Sequence, residues 1–338
     1  MKEIKVALIG FGGIARAHNK GYQILAADGE PVKLVAVCDI NPNQFNSQLS
    51  INIDTGKGGL PADIHTYTSV DELIAKEDFD MADICLPSYL HKEYAIKLME
   101  AGKHVLSEKP MALCSADCDK MIETSKRTGR KLMIGQCLRF DAAYLFLKEC
   151  IEKGTFGKPL HVFMNRLSAQ PRWGFEHWFE DTEKCGGCVM DMHIHDVDMA
   201  RFLFGEPEAV SLLSLDGETR WQVNNTRLYY KDLMVVLNGS WGEAGTAKFC
   251  MNYRVRFEDA SVVFENGKVT VYPEKGEVYS PELPKTDRMA EEIRMFTRTI
   301  RDDSLKNESN PPESARDTVR RVEKLRESAA LNGEIIKL

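Results

Sequence analysis

The chain has 338 residues, 43% of them hydrophobic and 28% charged, with a formal net charge of −7. That length is comfortable for two domains with ample core in each, and the composition is that of a soluble globular protein. The scattered basic residues argue against a nucleic-acid surface, and no apolar run approaches the roughly 20 residues needed to span a bilayer.

Met1-Lys2-Glu3 leads straight into an apolar strand, without the apolar core and small-residue cleavage site of a signal peptide. Nine cysteines is an odd count, and Cys38, Cys85 and Cys137 sit inside strand-like runs. Free buried thiols in a reducing cytoplasm explain this better than disulfides.

Ile4 to Ile9 reads as a strand covered on both faces. Gly10-Phe11-Gly12-Gly13-Ile14-Ala15 follows it and opens a helix of roughly Ile14 to Ala27, which is the context that lifts a G-x-G-x-x-A run above chance. Gly10 permits the tight turn, Gly12 lets backbone approach a pyrophosphate, and the helix N-terminus meets its charge. A second strand, Leu34 to Cys38, ends at Asp39, placed to bind ribose hydroxyls. Neither Ile40 nor Asn41 supplies the positive charge that a 2′-phosphate needs, so NAD is expected rather than NADP.

Asn46 to Asp63, with three glycines and a proline, is expected to be a surface insertion or mobile flap. Ser69 and Glu72 form a capping box for a helix ending near Ala75, and Met81 to Leu86 is a strand stopped by Pro87. A helix from His91 to Ala101, a strand from His104 to Leu106, a helix from Ser115 to Thr128 and a strand from Leu132 to Gly135 complete the series. Repeated β-α units of this kind predict a parallel, doubly wound Rossmann sheet. Lys109, in Glu108-Lys109-Pro110, then lies beyond the carboxyl end of a strand, where ligands gather, and becomes a candidate for binding a substrate hydroxyl or moving its proton.

The second half changes character. After a helix near Ala143 to Glu152 come alternating runs at Leu160–Leu167, Val210–Leu215, Arg227–Leu237, Lys248–Phe257 and Ser261–Phe264, with a hairpin turn at Glu265-Asn266-Gly267-Lys268. Helices at Met289–Ile300 and Ser314–Ala330 close the chain. This predicts an α+β domain on a large, mainly antiparallel open sheet. Gly186 to Gly205 reads as one mostly buried helix, with apolar lines Met190, Ile194, Val197 and Met192, Met199, Leu203. Asp191, His195 and Asp198 fall on it at i, i+4 and i+7, a polar stripe that needs partners.

His195 suits proton transfer near neutral pH. Asp191, one turn before His195, can accept a hydrogen bond from a substrate hydroxyl or offset the charge of Lys109. Trp173, Phe175, Trp178 and Phe179 form an aromatic cluster read as core, with a wall against sugar C–H groups as the alternative. Cys185-Gly186-Gly187-Cys188 has no second cysteine pair at ligand spacing, and His193 and His195 diverge on a helix, so no metal is expected.

Together the glycine fingerprint, Pro87, His91, Glu108-Lys109-Pro110, Arg139-Phe140-Asp141, the Gly186-Gly187 pair and the block His195 to Phe202 resemble the Gfo/Idh/MocA oxidoreductases, nearest to their inositol dehydrogenases. The resemblance implies a catalytic triad of Lys109, Asp191 and His195. It adds Pro87, His91 and Glu108 to Gly10, Phe11, Gly12, Gly13, Ile14, Asp39 and Lys109 at the cofactor. Arg139, Trp173 and Trp178 are expected at the substrate, with Arg139 supporting rather than reacting.

The expected domains are 1–124 for NAD and 125–338 for substrate and oligomerisation, with helix 314–330 a candidate to pack back on the first. The expected activity is NAD-dependent oxidation of a secondary hydroxyl on an inositol-like polyol or a pyranose by a cytoplasmic homodimer or homotetramer. An aldose dehydrogenase, an NAD-assisted sugar-modifying enzyme and a catalytically silent sugar sensor are the alternatives.

Overall fold

Short apolar strands alternating with amphipathic helices build the first unit, which comprises Met1–Cys137, Trp173–Phe175 and Thr286–Arg316. The computed structural model describes residues 2–46, 60 and 63–338, so the expected flap at Asn46 to Asp63 lies almost wholly outside the described residues. Strand β1 (Ile4–Ile9), helix α1 (Gly13–Ala27) and strands β2 (Val32–Cys38) and β3 (His65–Tyr67) come first. Helix α2 (Val70–Lys76), strand β4 (Met81–Ile84), helix α3 (His91–Glu100), strand β5 (His104–Glu108), helix α4 (Ser115–Thr128) and strand β6 (Leu132–Gly135) follow. The sheet order is β3-β2-β1-β4-β5-β6, and every pairing is parallel. The order reverses between β1 and β4, and ligands bind such sheets beyond the carboxyl ends of the strands at that point. Ile4, Val6, Leu8, Val37, Met81, Leu106 and Met133 form a continuous core.

The second unit comprises Leu138–Arg172, Glu176–Lys285 and Asp317–Leu338. It contains helix α5 (Ala142–Glu152), strand β7 (Pro159–Leu167) and helices α6 (Thr182–Cys185), α7 (Gly187–Asp191) and α8 (Ile194–Phe204). Strands β8 (Ala209–Leu215), β9 (Val223–Tyr229), β10 (Met234–Ser240), β11 (Cys250–Phe257), β12 (Ala260–Glu265) and β13 (Lys268–Pro273) follow. Asn266 and Gly267 both take positive φ, 51° and 75°, as the two-residue turn between β12 and β13 requires. The run read as Arg227–Leu237 is two strands, because Tyr230 to Leu233 turns the chain before β10.

Helix α9 (Arg288–Arg301) belongs to the first unit, where Ala290, Ile293 and Phe296 join its core against α1. Helix α10 (Pro312–Ala330) starts in the first unit and continues into the second, and strand β14 (Ile336–Lys337) ends the chain. The expected boundary at residue 124 falls inside α4 and moves to 137, because β6 completes the parallel sheet. Residues 286–316, which include the start of α10, return to the first unit.

The second sheet runs β13-β12-β11-β7-β10-β9-β8-β14, antiparallel except where β7 meets β10. Val162, Met164 and Arg166 of β7 and Val235 and Leu237 of β10 point to its buried face. On the other face Asn225, Asn238, Asn165 and Asn252 form a chain of side-chain hydrogen bonds of 2.7 to 2.8 Å across four strands.

Candidate active site

Gly10 has φ +85° and packs against the end of β4, where an added Cβ would lie 2.7 Å from the Cys85 carbonyl oxygen. At Gly12 the same substitution meets open space. Helix α1 begins there with no side-chain cap and no acidic residue in its first turn. Its first N–H groups therefore suit the diphosphate of a dinucleotide. Phe11 is buried, and Gly13 and Ile14 begin the helix.

Asp39 turns toward this loop. Its Oδ2 accepts the Phe11 N–H at 2.7 Å and its Oδ1 the Asn41 N–H at 2.8 Å, so the carboxylate that should meet ribose also braces the glycine turn. Arg16 lies at the same end, its guanidinium 4.7 Å from the Phe11 ring centroid and donating to the Gln44 carbonyl at 2.9 Å. Burial lowers its pKa, and the Asp39 charge opposes that shift. Ile40 and Asn41, next to Asp39 in the chain, carry no positive charge, whereas Arg16 sits a helical turn into α1.

Pro87 follows β4 and Lys109 follows β5, both at carboxyl ends of the parallel sheet. His91 is buried, with Nδ1 2.7 Å from the Pro110 carbonyl and Nε2 2.8 Å from that of Leu86. Burial lowers its pKa while the two carbonyls oppose the shift. Its ring thus sits between the two ligand-side loops. Glu108 is buried, and its Oε2 accepts the Lys109 N–H at 3.1 Å.

In the second unit Gly186 and Gly187 take φ +80° and +72°, and a side chain on Gly187 would collide with the Arg220 carbonyl. The expected single helix from 186 to 205 is two helices, α7 and α8, with a break at Met192–His193. There His193 N–H reaches back five residues to the Cys188 carbonyl at 2.8 Å, a widened turn. The cause is the His193 side chain, which is fully buried, 2.8 Å from Thr226 Oγ1 on β9, and packed where Gly239 has no side chain. Burial lowers its pKa to about 4, so the ring is neutral. Asp191 therefore ends α7 and His195 lies in the first turn of α8, both half-buried, while their neighbours along the helices are buried.

Asp198, the third member of the polar stripe, is buried and bonded within the protein. Asp198 receives Arg139 Nε at 2.8 Å, Arg139 Nη2 at 2.7 Å and Thr318 Oγ1 at 2.7 Å. Arg139 is 3% exposed, and its guanidinium lies 5.1 Å from the Phe202 ring centroid on α8. Asp196 is paired in the same way with Arg166, Nε and Nη2 both at 3.0 Å. Arg166 is not among the expected site residues, although a cation alternating with Val162 and Met164 in a buried strand is a signal that a partner must exist.

Trp178 stacks on Phe179 at 3.8 Å and packs against Cys185, Cys188, Met192 and Trp241, whereas Trp173 and Phe175 are exposed. Burial pushes the Cys185 thiol up to about 12 and Cys188 well above its ordinary value, so both are protonated core thiols.

Comparison with known proteins places these features in a family. Residues 4–136 match the model of the oxidoreductase family with an NAD-binding Rossmann fold, and residues 144–274 match the GFO/IDH/MocA C-terminal domain. The myo-inositol 2-dehydrogenase of Thermotoga maritima is 32% identical over 60% of this chain and 55% of its own length. The 2,7-anhydro-N-acetylneuraminate hydratase of Mediterraneibacter gnavus is 30% identical over 63% of this chain and 52% of its own. The match thus spans about half the length of these curated relatives. The aldose-aldose oxidoreductase of Caulobacter crescentus superposes with a TM-score of 0.82 over all of both chains at 21% identity, a likeness of fold.

Proposed function

The chain belongs to the Gfo/Idh/MocA oxidoreductases, and on that premise we propose that it oxidises a secondary hydroxyl of a cyclic polyol or sugar, with inositol the first choice. The observation that carries the reading is the sorting of acids around α8. Asp196 and Asp198 are buried in two-point pairs with arginines, whereas Asp191 and His195 remain half-buried at the junction of α7 and α8. Asp191 and His195 are thus the members of the stripe that a substrate can reach.

NAD, when bound, supplies the hydride acceptor. Gly10 to Ile14 and the N-terminus of α1 bind its diphosphate, and Asp39 receives the ribose while disfavouring a 2′-phosphate. His195 accepts the proton of the reacting hydroxyl, Asp191 accepts a hydrogen bond from an adjacent hydroxyl, and Lys109 donates to a substrate oxygen. Arg139 fixes α8, and the exposed Trp173 offers an apolar surface to ring C–H groups.

All nine cysteines are free, which suits a reducing cytoplasm. Leu213, Leu215, Val223 and Met234 are exposed on the face of the sheet that carries the asparagine chain, and a homodimer or homotetramer formed there would cover them. A second reading, in which oxidation is a transient step of another sugar reaction, draws support from the likeness to the Mediterraneibacter gnavus hydratase.

The test is NADH formation across inositols, pyranoses and short hydroxy acids. Turnover with a cyclic polyol or sugar, and little with lactate- or malate-like acids, is expected. Robust turnover of a short hydroxy acid with no response to any ring substrate would overturn the reading, and absence of NADH formation with product release from a sugar would favour the second one.

A further inference from the structure

We propose that His18 is a positively charged clamp between Asp83 and Glu108, and through Glu108 a positioning residue for Lys109. The inference rests on the role given to Lys109 above. His18 projects from the buried face of α1 and is fully buried. Its Nδ1 lies 2.8 Å from Asp83 Oδ2, and its Nε2 lies 3.0 Å from Glu108 Oε1. A neutral imidazole carries one N–H and would leave a ring lone pair facing a carboxylate oxygen at one of these distances. Only the imidazolium donates to both.

Each carboxylate has a second donor, on the same oxygen at Asp83 and on the other oxygen at Glu108. Tyr22 donates its hydroxyl to Asp83 Oδ2 at 2.7 Å, and the Lys109 N–H reaches Glu108 Oε2 at 3.1 Å. Gly135 on β6 backs the Glu108 carboxylate so closely that an added Cβ would lie 2.9 Å from Oε1. Glu108 is therefore gripped at one oxygen by His18 and at the other by the backbone of Lys109. Without the imidazolium, Asp83 and Glu108 would be left in the core without a shared cation, and one of them would take up a proton and turn.

The other groups around His18 are consistent with this charge pattern. Glu292 of α9 is fully buried, with neither carboxyl oxygen hydrogen-bonded among the described residues. Burial first, then the Glu108 charge, push its pKa far up, opposed by His18 and by Arg288 on the same helix, so it is neutral. For His18 burial opposes the charge, but Asp83 outweighs it, aided by Cys85, and the ring is held well above its ordinary value. Glu108 is held below its usual range, burial being outweighed by the bond from His18. His18, Asp83 and Cys85 also have ligand-type atoms within 4.8 Å of one another. Both His18 nitrogens are already on carboxylates, however, and burial pushes the Cys85 thiol up to about 12, so the cluster reads as a clamp and not as an ion site.

The test uses the full chain labelled with 15N-histidine, read by NMR together with exchange of the Lys109 amide. His18 should carry protons on both nitrogens at pH 7 and still at pH 8, and Glu108→Gln, a milder variant than any change at His18, should lower its pKa. His18→Gln should speed exchange of the Lys109 amide. It should also cut kcat by as much as about 100-fold with KM for NAD nearly unchanged, and add no further loss in a Lys109→Ala background. A neutral His18 at pH 7, unchanged Lys109 exchange in both variants, or a loss that simply adds to that of Lys109→Ala would overturn the proposal. If the chain oxidises no polyol or sugar, the functional reading fails, and the NMR and exchange results still decide whether the clamp exists.

Discussion

Arg139 and Asp198 meet in the core of the second unit through two parallel hydrogen bonds, Nε to Oδ2 at 2.8 Å and Nη2 to Oδ1 at 2.7 Å, with both side chains almost wholly buried. Two-point geometry in a dry site makes each partner depend on the other, because a single deletion strands a buried charge. Arg139→Met is therefore expected to destabilise the fold by about 3–5 kcal/mol, read from urea unfolding. The double variant with Asp198→Leu should lose less than the sum of the single changes. Additive losses would mean that the pair does not act as a unit.

Asp39 does two things at once, so its removal should show in two measurements. NAD should be used at least about tenfold better than NADP, roughly 1.4 kcal/mol of discrimination. Asp39→Ala should narrow that ratio, since Arg16 at the same end is then no longer opposed by a carboxylate. NAD affinity should fall as well, because the Phe11 N–H loses its acceptor. A change of cofactor preference with undiminished NAD affinity would show that bracing the turn is unimportant.

His195→Ala should leave NAD binding nearly intact and lower turnover by about 100-fold or more, the usual scale for losing a general base. Lys109→Ala should damage both turnover and substrate affinity, as it removes a charged donor. Near-normal turnover of His195→Ala at neutral pH would assign the proton to another residue.

His193 makes stability depend on pH in a definite direction. Its folded-state pKa is about 4 because it is buried, against roughly 6.5 in the unfolded chain. The unfolded state thus binds the extra proton first, so the stabilisation is complete above about pH 6.5 and is lost as pH falls toward 4. The contribution is on the order of 3 kcal/mol. Unfolding midpoints measured from pH 7 to pH 4.5 should drop for the natural chain, and less steeply for His193→Gln. Parallel curves for the two proteins would rule this histidine out as the source.

The thiols of Cys185 and Cys188 should react with a disulfide reagent slowly in the folded protein and rapidly in urea, since burial keeps both protonated. Replacing both by Ala should leave the metal content of the purified protein unchanged. Stoichiometric zinc that disappears in the double variant would reverse this assignment.

The sequence by itself determined the elements whose signals are local. The glycine turn after β1, the left-handed Gly129 that stops α4, the Asn266-Gly267 hairpin and the apolar lines of α8 are all written within a few residues, because backbone sterics and helical or strand periodicity act at that range. The polar stripe of Asp191, His195 and Asp198 was visible for the same reason. How Asp198 is held was not, since its partners lie 59 and 120 residues away, on Arg139 and Thr318. Only the tertiary structure broke the helix at His193, because the competing interaction is with Thr226 on a distant strand. It likewise returned α9 to the first unit and gathered His18, Asp83, Glu108 and Glu292. Buried charge is stable only when opposite groups meet at contact distance, and the order of residues along a chain does not encode that distance.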